Sequence, residues 1–344
     1  MVVSSLTRFD GPPATAPAAN TPFRSPDWFE LLAQHGMPPD AALSIARGND
    51  DAPWLPLIRH GSTLAGLSNF YTGVYGPVGA EDGTVEDWLA LCRHWRKQPD
   101  RPALIHLKPL DADGKFFTAM RAALKAAGYW VDHHFCFGNW HCRPTGVDFS
   151  TYLSQRPSAV RNTLRRCRAK LEKAGQLGIQ IHTAPCDDLE CAIDAYEAIY
   201  QRSWKPAETY PDFIRQLCRL AARHGWLRLG VLTLDDQPIA SQLWLFSAGT
   251  AYIFKLAYDP DAARYSPGTV LTAALMEQAI DRDHAVEIDY LSGDDTYKQD
   301  WMDQRRERVG LIAFDPTTPL GLWRGARHFA ARRIKALLGE GNRS

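Results

Sequence analysis

The chain has 344 residues, 45% of them hydrophobic and 11% aromatic, with 39 lysines and arginines against 39 aspartates and glutamates. This is ample material for a buried core, and the length points to about two domains. The zero formal charge excludes a global signal for DNA or an acidic polymer, so any basic surface must be local.

Residues 1–24, rich in Pro, Ala and Thr, are expected to form a disordered tail. Folding then starts at "SPDWFELLAQHG", where Ser25 or Asp27 can cap a helix carrying Trp28, Phe29, Leu31 and Leu32. "WLPLIRHGSTLAGLSNFY" predicts a hairpin with Gly61 near its turn, and "VEDWLALCRHWRK" an amphipathic helix. "PALIHLKPL" follows as a strand, "GKFFTAMRAALKAAG" as a helix closed by Gly128, and "YWVDHHFCFGNWHCRP" as a strand. The second half repeats this grammar more legibly. After a basic helix at 156–173 it runs strand, helix, helix, three antiparallel strands, helix, strand, short helix, strand.

The seven cysteines are odd in number and have no repeating spacing, which argues against a disulfide framework. His133, His134, Cys136, His141 and Cys142 lie in one predicted strand, whose alternating side chains cannot converge on one ion without a hairpin. No metal is expected. No apolar run approaches the ~18 residues of a membrane span, and the N-terminus lacks the regions of a secretory signal, so the chain reads as cytoplasmic.

Three stretches carry a resemblance: "AYDPDAARYSPGTVL", "EIDYLSGDDTYKQDW" and "RPSAVRNTLRRCRAKLEKAGQLGIQIH". With the order of the second half, they resemble the GNAT acyltransferase superfamily, in its FemAB-like branch with a BioF2-like (CelD-type) acetyltransferase domain. The resemblance covers about 145–315, and 25–145 is similar in layout to the degenerate first half of such proteins. It implies an α+β fold of two tandem GNAT-like domains, each a mixed, mostly antiparallel sheet flanked by helices. The boundaries expected are 25–145, 146–316 and a basic amphipathic helix at 317–344.

The junction at Ser266–Thr269 leaves helix-terminal N–H groups without intrahelical partners, a place suited to an anion, although Ser266 and Pro267 serve equally as an ordinary helix start. The resemblance implies that acetyl-CoA or another acyl-CoA lays its pyrophosphate there, against Arg264, Tyr265, Ser266, Gly268 and Thr269. It also implies that the strands "YIFKLAYD" and "EIDYL" splay to admit the pantetheine arm. In "GDDTYK", Asp295 is a candidate proton acceptor and Tyr297 a candidate donor to the departing thiolate, with Asp289 as the fallback base. Asp295 reads equally as a helix cap, and Lys298 as a carboxylate's partner. Lys255, on the strand lining the cleft, is expected to reach substrate or an acidic neighbour, while Trp204 is either core or acceptor contact.

Two local basic surfaces remain, the helix at 156–173 and "GLWRGARHFAARRIKALLG" near the C-terminus, the latter with the profile of a membrane-surface helix or of one docked on the protein itself. The leading expectation is transfer of an acyl group to an amine or hydroxyl of a small molecule, or of a sugar in an envelope or exopolysaccharide precursor. Aminoacyl transfer from aminoacyl-tRNA to a cell-wall precursor and a non-catalytic double-GNAT scaffold in an envelope-synthesis complex are the alternatives. The balanced charge counts against tRNA.

Overall fold

A computed structural model describes residues 19–38, 42–47, 52–79 and 81–337, together with the backbone of Val3 and Ser4. The chain divides into two compact units, Met1–Phe137 with Glu307–Ser344, and Gly138–Arg306.

The first unit opens with β1 (Val3–Ser4), a single 3-10 turn at Pro22–Arg24, and α1 (Pro26–His35). The Ser25 hydroxyl accepts the Trp28 N–H, satisfying one of the orphan donors at the start of α1. Of the expected tail, residues 1, 2 and 5–18 lie outside the described residues. Phe23, however, is fully buried and in edge-to-face contact with Trp28, so packed structure begins before residue 25. β2 (Ala42–Ala46), β3 (Leu55–His60) and β4 (Thr63–Gly66) follow, with Gly61 in the left-handed region (φ 55°) that a tight hairpin demands. β2 has no counterpart in the sequence-based expectation, because "ALSIA" is too short and too weakly patterned to announce itself. α2 (Val85–Lys97), β5 (Leu104–Asp111), α3 (Lys115–Ala126) and β6 (Trp130–Cys142) match the expected elements.

The second unit contains α4 (Phe149–Ser154), α5 (Ser158–Ala174), β7 (Leu177–His182), α6 (Leu189–Arg202), α7 (Pro211–Arg223), β8 (Leu227–Leu234), β9 (Gln237–Ser247), β10 (Thr250–Tyr258), α8 (Pro267–Glu277), β11 (Glu287–Asp289) and α9 (Thr296–Trp301). α4 was not foreseen. Asp235 and Asp236, both at positive φ, make the two-residue turn between β8 and β9. β12 (Gln304–Phe314) and α10 (Pro319–Leu337) complete the described chain.

β12 pairs antiparallel with β5, from Arg308 opposite Asp111 to Phe314 opposite Leu104. The last strand and α10 therefore belong to the first unit, and the second begins at Gly138, where sequence alone suggested 146–316 for the second domain. Strand pairing is a long-range choice that no local pattern reveals. Within each unit one parallel contact interrupts an otherwise antiparallel order, β4 with β5 in the first and β10 with β11 in the second. The fold is α+β, with two tandem halves of the same pattern, each a mixed, mostly antiparallel sheet flanked by helices.

In the second unit α8 lies close on the sheet because Gly230 has no side chain: a Cβ there would stand 3.0 Å from the methyls of Leu271 and Leu275. Gln242, buried on β9, donates to the Gly268 carbonyl and the Thr272 hydroxyl at 2.9 Å each, and accepts from the Trp244 indole N–H at 2.9 Å. This satisfied network staples the first turn of α8 to the sheet, and buried polar groups so placed are costly to disturb.

Candidate active site

β10 and β11 pair only over Thr250–Tyr252 and Glu287–Asp289. Beyond that β10 runs on to Tyr258, with a bulge against β9 between Ile253 and Lys255, whereas β11 stops. The stop has a local cause. Leu291 takes a left-handed conformation (φ 53°), and its N–H donates at 2.6 Å to Oδ1 of Asp289. The strands part, and the β11-facing edge of β10 from Ile253 onward is left without its parallel partner.

At the far end of that edge lies α8. Ser266 occupies its N-cap position in the left-handed region (φ 47°, ψ 51°) and makes no side-chain cap bond; its carbonyl accepts from Thr269 at 3.0 Å. A non-glycine residue held there costs about 1–3 kcal/mol, a strain found often at ligand sites. Pro267 has no N–H, Gly268 has no intrahelical acceptor, and the first turn holds no acidic residue. Arg264, exposed, stacks over the Tyr265 ring at 4.8 Å. A Cβ on Gly268 would meet only Tyr258, at 3.4 Å, so its backbone is approachable. The counterpart in the first unit is closed: α2 also precedes the parallel strand, but Thr84 and Asp87 form a reciprocal capping box and Glu86 adds a second negative charge. Of these two helix starts only that of α8 is uncapped and free of acidic residues.

The other predicted residues have partners of their own. Lys255 Nζ donates to Glu208 Oε1 at 2.6 Å and lies 5.3 Å from the Tyr200 ring, so the acidic neighbour expected for it is Glu208. Trp204, 56% exposed, stacks on Tyr258 at 4.6 Å and is not core. Asp295 stands at the N-cap position of α9 without a cap hydrogen bond and pairs instead with Lys298, at 3.3 Å. Lys298 is buried; its Nζ donates to the carbonyls of Ser292 and Gly293 and sits 5.5 Å from the Tyr290 ring. Those bonds make it a fastener of the loop before α9. Tyr297 is 43% exposed, edge-on to Tyr290 at 5.8 Å, and burial followed by the Asp295 charge pushes its phenol up to about 12.

Asp289, the expected fallback base, is held by structural partners. It is 1% exposed, accepts Asn139 Nδ2 and the Leu291 N–H at 2.6 Å each through Oδ1, and holds Arg306 through Oδ2. Arg306 is bound in turn to Glu287 at 2.7 Å and to Asn139 Oδ1 at 2.6 Å. With both oxygens taken, Asp289 ends the strand and creates the parting of β10 and β11.

Sequence reading missed Lys205. Half-buried, it makes no ion pair among the described residues, and its Nζ lies over the rings of Tyr200 at 5.8 Å and Trp204 at 5.9 Å. Burial, with Lys255 and Lys298 as further charges, lowers its pKa to about 8, against the opposing pull of Glu208 and Asp295. Beside it a cavity of about 360 Å³ opens, lined in part by Tyr196, Tyr200, Glu208 and Arg215, large enough for a small acceptor. The only sequence signal was "SWKP", a lysine beside an aromatic at a helix end.

The basic helix α5 exposes Arg161, Arg165, Arg166, Lys170 and Lys173, while Arg156 turns inward to Asp303 and the Tyr152 ring. Among the described residues no three His, Cys, Asp or Glu side chains are placed to hold a metal ion, and no helix is long and apolar enough to cross a membrane.

Residues 158–299 match the family described as "Acetyltransferase (GNAT) domain". The crystal structure of FemX is similar over 79% of this chain and 87% of its own, with a TM-score of 0.54 at 12% identity. The C-terminal domain of a protein described as a lysylphosphatidylglycerol synthetase from Agrobacterium fabrum gives 0.54 at 13% identity over 86% and 89% of the two chains. L-PGS from Bacillus licheniformis gives 0.54 at 11% over 87% and 92%. At such identities the likeness is one of fold. No curated protein matches the sequence. With the parted strands and the open start of α8 in place, the second unit contains the stretch that matches the GNAT acetyltransferase domain, and the chain shares its fold with FemX.

Proposed function

We infer that the second unit transfers an acyl group, acetyl in the simplest case, from acyl-CoA to an amine or hydroxyl of a small molecule or of a sugar in an envelope precursor. The observation that carries this reading is the parting of β10 and β11 beside an uncapped, acid-free helix start. A pantetheine arm has amides to pair with the freed edge of β10, and a pyrophosphate suits the Gly268 N–H with Arg264. The acceptor takes the cavity beside Lys205. Its nucleophile attacks the thioester carbonyl, the C–S bond breaks, the proton of the attacking group passes to neutral Lys205, and Tyr297 protonates the leaving thiolate. Asp295, exposed and held by Lys298, is the second candidate for the acceptor's proton.

The test is thermal stabilisation of the whole chain. Acetyl-CoA at about a hundred times its Kd is expected to add about 2.7 kcal/mol of stability. Stabilisation by aminoacyl-tRNA alone would replace the donor, a result the exposed basic face of α5 would then explain; stabilisation by neither would leave a scaffold.

Two substitutions localise the donor. Arg264→Ala is expected to weaken acetyl-CoA binding about ten-fold and to flatten its salt dependence, read by calorimetric titration. Tyr297→Phe is expected to lower kcat with little change in donor affinity, because a thiolate forms only as the bond breaks. Unchanged affinity in the first variant would remove the helix start from the donor site; unchanged kcat in the second would remove the phenol from the chemistry.

A further inference from the structure

The last helix binds its own unit with one face, and among the described residues nothing covers the other. Gly321 and Gly325 let α10 lie close: a Cβ at Gly321 would stand 2.2 Å from the Asp315 carbonyl oxygen, and one at Gly325 2.8 Å from Trp130. Phe329 packs edge-on to Trp130 and Phe314, and His328 and Arg332 both bind Asp132. That face is satisfied within the first unit.

At 3.6 residues per turn, Leu322, Trp323, Ile334 and Leu337 fall within an arc of about 120° on the other side. They are 46%, 58%, 56% and 82% exposed, values that a soluble helix ordinarily keeps for polar side chains. Arg327 borders the arc on one side and Arg333 lies just inside its other edge, with Arg327 over the Trp323 ring at 5.4 Å. Arg324 and Lys335 add two more cations, and from Pro319 to Leu337 there is no aspartate or glutamate. In a chain of zero formal charge, this is a concentrated local excess.

The geometry points to an anionic lipid surface as the partner of this face. Apolar side chains with a tryptophan enter the boundary between headgroups and acyl chains, while arginines at the margins meet phosphate. A second copy of the same helix would set arginine against arginine across the contact, so charge favours lipid over self-association. The helix thus docks on the protein and offers a membrane face at once, and a lipid-borne acceptor would gain from such an anchor.

The experiment uses the full chain and vesicles of phosphatidylcholine with or without phosphatidylglycerol. Cosedimentation is expected with the anionic vesicles only and is expected to fall with added salt. Trp323→Ser with Ile334→Ser, and separately Arg327→Glu with Arg333→Glu, are expected to lower the partition coefficient about ten-fold or more each. These side chains are exposed, so unchanged melting temperatures would confirm intact folds. Absence of binding to anionic vesicles would overturn the proposal, as would binding by both variants equal to that of the native chain. A concentration-dependent dimer that the Trp323→Ser, Ile334→Ser variant abolishes would assign the face to a second copy instead. None of these outcomes depends on acetyl-CoA, so failure here and failure of the acyl-transfer reading are separable.

Discussion

Lys205→Met is expected to lower turnover with acetyl-CoA by about 10²-fold or more, and to remove a rise in rate centred near the pKa of about 8 that the site imposes on this lysine. The direction follows from charge. Lys205 is half-buried and feels Lys255 and Lys298, which disfavour the ammonium and outweigh the opposing pull of Glu208 and Asp295. Below the shifted pKa the lysine carries a proton and cannot accept another; above it the free amine can. The rate should therefore climb with pH, and the climb should vanish in the Met variant. Lys205→Arg separates two roles, because arginine keeps the charge but cannot act as a base near neutral pH. Recovery of activity in the Arg variant would make this position an anion contact and move proton transfer to Asp295.

Stability carries a second signature of the same group. The folded pKa lies below lysine's ordinary 10.5, so between the two the unfolded chain binds more protons and stability rises with pH. That rise should be absent from the Met variant.

Asp289→Ala is expected to cost about 3–5 kcal/mol, the range for removing one partner of a buried ion pair. Arg306 would lose its contact with Asp289 Oδ2, Asn139 Nδ2 and the Leu291 N–H would lose a common acceptor, and the turn that ends β11 would lose its brace. Urea unfolding followed by circular dichroism measures the loss. Asp289→Asn keeps an oxygen for Asn139 and Leu291 and is expected to fall between the native chain and the Ala variant. A large drop in rate for Asp289→Asn, with stability unchanged, would return the aspartate to the role of base.

The two expected losses show where local reading reaches its limit. At Asp289 the sequence indicated a carboxylate at a strand end near the cleft, and that placement is right. What the carboxylate does there is decided by Asn139 and Arg306, distant in the chain and brought beside it by β6 and β12. Asp295 likewise sat at a helix start, where a cap is the usual outcome, yet Lys298 holds its carboxylate.

What the sequence determined by itself is local: the helix from Val85 to Lys97, the hairpin turn at Gly61, the strand before and the helix after the Ser266–Thr269 junction, and the order of elements that carries the GNAT likeness. Hydrogen-bond periodicity, capping and turn chemistry act over a few residues, so they can be read along the chain. The tertiary structure alone decided that β12 returns to the first unit, that β11 pairs over only three residues with β10, and that Lys205, without an ion pair among the described residues, feels the charges of Lys255 and Lys298. Strand partnership and the field at a titratable group are set by residues far apart in sequence, and neither leaves a periodic trace in the residues themselves.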